Sequence, residues 1–180
     1  MTYTCVIQLA DQTFLFSGAG SAGVGVADLL SNAIVAESKG LLSVAEARQR
    51  IWLVDSQGLV TSKRDMSTLQ AHKIPYAHQA PAAAITLPPP LSTGRKSPLA
   101  HAVDTIQPTA LLGMSAQKGS FTEDICRQMG VCNKKPIIFA LSNPTDKSEC
   151  TAAEAYEWTN GRCIFASGMR CPHVVFLSMV

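Results

Sequence analysis

Near the start of the chain, Gly18-Ala19-Gly20-Ser21-Ala22-Gly23 has the spacing G-x-G-x-x-G. A dinucleotide pyrophosphate needs close backbone approach and free N–H groups, and a turn of this kind supplies both. The first glycine permits a tight turn. The second leaves room for phosphate, and the third lets the following helix pack closely against its strand. The helix N-terminus adds positive potential. The pattern is common by itself, and a purely structural glycine turn is its other reading. Its position favours binding, because an apolar run from Thr13 to Ser17 precedes it and a helical pattern follows.

Asp55 is the second candidate. It ends the apolar run Ile51-Trp52-Leu53-Val54, where a carboxylate can accept hydrogen bonds from a ribose. The acid is expected about 20 residues beyond the glycines. The longer spacing here is explained by a short helix from Ser43 through Arg50. Asp55 also reads as a solvated cap on the turn Ser56-Gln57-Gly58. Other reactive side chains form no recognisable catalytic set. His72 and His78 are too far apart to share a helical face, and His101 and His173 are solitary. All four read as ordinary surface or partly buried histidines. The adjacent acids Glu123 and Asp124 fall in the first turn of an expected helix, where the dipole favours them. Six cysteines include no C-x-x-C pair and read as buried thiols of a reducing compartment.

Composition sets the frame for these residues. The chain has 180 residues, 47% of them hydrophobic and 16% charged, with a formal net charge of +2. That is enough apolar material for a packed core and too little charge for disorder. A strongly basic nucleic-acid surface and a membrane span are both excluded by this reading. Met1 to Gln12 contains no Lys or Arg and resembles neither a signal nor a transit peptide.

The expected elements alternate. A strand at Thr13–Ser17 is followed by a helix over 22–38, a second short helix capped by Ser43, and a strand at Ile51–Val54. Residues 79–98 hold five prolines and no period, so they read as a loop or insertion. A helix is expected over 99–106 and a strand over 109–115. A helix over 121–129 follows, then the clearest strand, 137–142. Thr151-Ala152-Ala153-Glu154 is a capping box opening a further helix, and Cys163–Ala166 is the last strand. Continuously apolar strands alternating with helices predict an α/β fold: a Rossmann-like parallel sheet with helices on both faces.

Several stretches resemble the cofactor domain of malic enzymes. They are Phe16 to Gly23, Ile51 to Leu59, Gln107-Pro108-Thr109 with Leu111-Leu112-Gly113, and Lys135 to Thr145. Glu149 to Tyr156 and Gly161 to Gly168 complete the set. The run from Ala140 to Thr151 is the most specific. The resemblance divides the chain into an unmatched segment 1–12, an NAD(P)-binding domain 13–168 with a Pro-rich insertion at about 79–98, and an unmatched tail 169–180.

The family oxidises malate with NAD or NADP and decarboxylates the product to pyruvate, using Mg²⁺ or Mn²⁺. The resemblance implies that Gly18, Ala19, Gly20, Ser21, Ala22 and Gly23 hold the pyrophosphate, with Asp55 near the adenosine ribose. It implies that Gly113 lies in the cofactor site and that Asn143 reaches both substrate and nicotinamide. Asn143 also reads as a turn residue before Pro144. The family's tyrosine acid, lysine base and acidic metal ligands lie upstream of the glycine turn, so no catalytic or metal-binding residue is expected here. Asp55 is followed by Ser56, then Lys63, Arg64 and Lys73. In relatives of this kind a Ser after the strand Asp and a Lys near the Lys73 position accompany NADP. A solvated Lys73 touching nothing is the other reading. The implied partners are malate and a dinucleotide, with no nucleic acid or membrane, and the family usually forms homo-oligomers. Cytoplasm, plastid and mitochondrion all fit a reducing compartment. Two functions stay open: a malic enzyme acting through this domain, and an NAD(P)-binding fragment without turnover.

Overall fold

The computed structural model describes residues 8–79 and 97–168. Most of the Pro-rich stretch, the tail, Cys5, Cys171 and His173 lie outside the described residues. The elements run β1 (Phe14–Ser17), α1 (Ser21–Glu37), α2 (Val44–Arg48), β2 (Ile51–Asp55) and β3 (Gly58–Leu59). A 3-10 helix, Ala71–Tyr76, precedes α3 (Pro98–Ile106) and β4 (Ala110–Gly113). Then come α4 (Glu123–Cys132), β5 (Ile137–Ala140), α5 (Ala152–Trp158) and β6 (Ile164–Ser167).

The six strands form one sheet in the order β3-β2-β1-β4-β5-β6. All neighbours pair in parallel except β2 and β3. Side chains alternate between two cores because successive residues of a strand face opposite sides. In β1, Phe14 and Phe16 enter a core with Ala27 and Ile34 of α1 and Ala47 of α2. Leu15 enters the other, with Val103 of α3, Ile125 and Met129 of α4 and Ala155 of α5. Helices therefore cover both faces, as the apolar strands predict. The chain leaves β1 in opposite directions toward β2 and β4, and this reversal opens a crevice at the strands' carboxyl ends.

The structure differs from the sequence reading in four places. Ser56-Gln57-Gly58 is more than a turn, since it joins β2 to the short antiparallel strand β3, with Asp55 opposite Gly58. Two residues are too few for a periodic signal. Residues 60–78, to which the sequence assigns no element, hold the buried Val60, Leu69 and Tyr76 and the 3-10 helix. Pro98 belongs to α3 and not to the Pro-rich stretch: it occupies the first helical turn, and the Ser97 hydroxyl caps the Ala100 N–H. Proline suits that position because its missing N–H would have no helical partner there. His78 is buried, with Nε2 2.8 Å from the Ile51 carbonyl oxygen and its ring edge-on to Trp52. Burial lowers its pKa, so its proton is held less tightly than in an exposed histidine.

Two capping boxes hold helix starts as their sequences imply. The Ser43 and Glu46 side chains satisfy each other's backbone N–H groups at α2, and Thr151 and Glu154 do so at α5. Cys126, Cys132, Cys150 and Cys163 are free thiols, all but Cys132 buried.

Candidate functional site

The strand ends and the glycine turn enclose a cleft of about 740 Å³. One wall is the turn itself, and Gly18, Ala19 and Gly20 all line it. Gly18 has φ +115°, and a Cβ there would lie 2.7 Å from the Met114 carbonyl carbon. Only glycine combines that left-handed backbone with so close an approach. Gly20 is different. Nothing stands within 4 Å of where its Cβ would be, so its lack of a side chain leaves open space over the turn. At Gly23 a Cβ would meet the Gly18 carbonyl oxygen at 2.3 Å. The third glycine therefore lets α1 close onto the turn.

Gly20 is also the N-cap of α1, and no side chain caps it. The first turn, which includes Ser21, Ala22 and Gly23, contains no acid. The free N–H groups and positive end of a 17-residue helix thus meet the cleft without a competing carboxylate. Two residues of the loop after β4 also line the cleft, Ser115 and Ser120, and their hydroxyl oxygens are buried without a hydrogen-bond partner among the described residues. An open glycine cradle and an uncapped helix start together fit a phosphate-bearing ligand.

Asp55, Ser56 and Lys73 also line the cleft. Asp55 does cap the turn, through the Gln57 N–H, but it is neither solvated nor a free carboxylate. Its Oδ1 accepts from Arg64 at 2.9 Å and from the Gln57 N–H at 2.9 Å, and its Oδ2 accepts from Lys73 at 2.9 Å. The Asp55 side chain is 10% exposed. Burial pushes its pKa up, but the hydrogen bonds from Lys73, Arg64 and Gln57 outweigh it and hold the carboxyl below its ordinary value. One carboxylate facing two cations leaves this corner with a surplus positive charge. Lys73 is paired, not solvated. An ammonium has three donors, and the Asp55 contact uses one of them.

Gly113 and Asn143 are placed otherwise than the glycine turn. Gly113 is buried and is not among the residues that line the cleft. A Cβ on it would lie 2.3 Å from the Glu149 carboxyl carbon, so its small size admits that side chain. Asn143 is exposed on the loop after β5, also outside the cleft lining, and its peptide to Pro144 is cis.

Sequence reasoning singled out neither Glu149 nor these two serines, Ser115 and Ser120. It noted Arg64 only as a nearby charge. A basic residue shortly after a strand-end Asp was the available signal for that partnership. Glu123 pairs with Arg127 one helical turn on, as an ordinary surface contact. Among the described residues no group of three or more His, Cys, Asp or Glu side chains could hold a metal ion. The Mg²⁺ or Mn²⁺ implied by the resemblance therefore finds no ligand set there. No helix among these residues is long and apolar enough to cross a membrane.

The fold and the cleft define a Rossmann-like nucleotide-binding domain. The family model for the malic enzyme NAD binding domain matches residues 3–177, a range that extends beyond 13–168 at both ends. The chain belongs to that family. It is 46% identical over 160 residues to an NADP-dependent malic enzyme of Phaseolus vulgaris, covering 89% of this chain and 24% of that protein. It is 44% identical over 169 residues to NADP-dependent malic enzyme 2 of Arabidopsis thaliana, covering 94% of this chain and 26% of that protein. The chain thus spans about a quarter of the length of these curated relatives. A crystal structure assigned as a malic enzyme (malate oxidoreductase) shares the fold, with a TM-score of 0.56 at 20% identity, over 91% of this chain and 34% of that one.

Proposed function

We propose that this chain is the cofactor-holding part of an NADP-dependent malic enzyme, which oxidises and decarboxylates malate to pyruvate. The observation that carries the NADP assignment is the engagement of Asp55. A carboxylate with free oxygens would accept the ribose hydroxyls of NAD and repel a 2′-phosphate. Here both oxygens are already committed to Arg64 and Lys73, and the corner keeps net positive charge. A 2′-phosphate brings about −2 charge and further acceptor oxygens, so it is favoured where a bare hydroxyl has little to gain. Ser56 supplies a hydroxyl at the same corner.

On this reading the pyrophosphate lies on the turn Gly18 to Gly23 and meets the N–H groups of α1. The bound dinucleotide supplies the acceptor for a hydride from the substrate carbon. The chain's own residues bind and orient it: Lys73 and Ser56 at the adenosine end, Asn143 at the nicotinamide end. A side-chain amide suits the latter place, since it can donate to a substrate carboxylate without adding charge. The plant relatives, named as NADP-dependent, support the same choice.

The test is calorimetric titration of the 180-residue chain with NADP⁺ and NAD⁺. NADP⁺ should bind more tightly. Lys73→Gln should weaken NADP⁺ by about 1.5–3 kcal/mol, the range for hydrogen bonds to charged groups, and leave NAD⁺ nearly unchanged. Equal loss for both cofactors, or none for either, would remove Lys73 from the site.

A further inference from the structure

Glu149 is fully buried, and no cation pairs with it among the described residues. A carboxylate in that position needs donors, since burying an unpaired charge is costly. Its donors come from two loops. Ser142, just after β5, donates both its hydroxyl and its backbone N–H to the carboxylate. Ser115, just after β4, donates its backbone N–H at 3.3 Å. The Ser142 hydroxyl oxygen also accepts from the Ala116 N–H at 2.9 Å, which closes the network across the two loops. Gly113 leaves the room that the carboxyl fills.

We propose that Glu149 is a positioning residue for the nicotinamide half of the cofactor. Its carboxylate clamps the loop after β4 to the loop after β5. Ser115 lines the cleft, and Ser142 directly precedes Asn143. Fixing these two backbones fixes both the cleft wall and the start of the segment that carries Asn143. An apolar residue could fill the same volume, and replacing buried ionic groups by apolar ones is often neutral for stability. Three donors gathered from two strand ends beside the crevice indicate a geometric role. The inference rests on the dinucleotide reading above.

The test separates the two halves of the cofactor. Wild type, Glu149→Gln and Ser142→Ala would be titrated with NADP⁺ and with adenosine 2′,5′-bisphosphate, which lacks the nicotinamide half. Glu149→Gln keeps the shape but replaces one acceptor oxygen with an amide donor. NADP⁺ affinity should fall about tenfold, while the bisphosphate affinity stays within about twofold. Ser142→Ala should show the same pattern to a smaller degree. If Glu149→Gln does not fold, Ser142→Ala decides by the same criterion. Equal weakening of both probes means general structural support, and no weakening of either means no role; each result overturns the proposal. Wild type that binds neither probe overturns the dinucleotide reading itself and takes this inference with it.

Discussion

The three glycines of one motif do different work, and their surroundings separate them. Gly18 and Gly23 are sterically obligatory, since any Cβ would strike backbone within 3 Å. Gly20 is sterically free. Replacing it by valine should leave folding intact within about 1 kcal/mol and abolish dinucleotide binding, because the new side chain would occupy the pyrophosphate's place. Thermal unfolding and titration of Gly20→Val measure both effects, and unchanged affinity would make the turn structural only. Asp55 makes the opposite case, a residue whose charge supports the fold. Its folded pKa lies below its ordinary value, so its contribution is complete above about pH 4 and is lost as pH falls through the folded value. Asp55→Asn should cost about 1.5–3 kcal/mol at neutral pH, with the difference from wild type shrinking in acid. Denaturant unfolding at pH 7 and near pH 3 is the measurement. An equal gap at both would show that the ion pairs contribute nothing.

Elements were legible where local physics sets them. The Thr151 capping box, the Ser43 cap, the apolar strands and the glycine turn each announce themselves within a few residues. The stretch carrying Lys73 does not, because its order comes from partners far away in sequence. Tyr76 is fully buried, its hydroxyl donating to Asp28 of α1 at 2.7 Å. Arg48 of α2 pairs with that same carboxylate at 3.0 Å and lies over the tyrosine ring, 5.4 Å from its centre. Burial raises the pKa of the Tyr76 hydroxyl, so it remains a donor at neutral pH. This network seats the 3-10 helix, and with it Lys73, beside Asp55. Glu149 was silent for the same reason: its three donors come from two loops, and no local spacing encodes them. Tyr76→Phe should cost about 1 kcal/mol of stability. It should also weaken NADP⁺ more than NAD⁺, since Lys73 loses its anchor. Denaturation with paired titrations checks this, and parallel weakening of both cofactors would detach the 3-10 helix from cofactor choice.

At the scale of the molecule, binding and chemistry separate. A sheet with helices on both faces places the turn, the Asp55 corner and the loop after β4 around one crevice, and on the proposed reading these hold the dinucleotide. Malate turnover demands more. A base must take the hydroxyl proton as hydride leaves, a cation must stabilise the enolate formed on decarboxylation, and an acid must return a proton to carbon. Among the described residues no cluster could hold that cation. The buried His78 is tied to the Ile51 carbonyl, far from serving as a base. The relatives are about four times as long as the matched segment, so their remaining length has room for the missing groups. The 180-residue polypeptide alone should therefore bind one equivalent of NADP⁺ yet reduce none of it with malate and Mn²⁺. Absorbance at the reduced-nicotinamide band, followed beside a protein-free control, reads this directly. Metal-dependent reduction above that control would place a complete catalytic set within these 180 residues and overturn the division between holding the cofactor and using it.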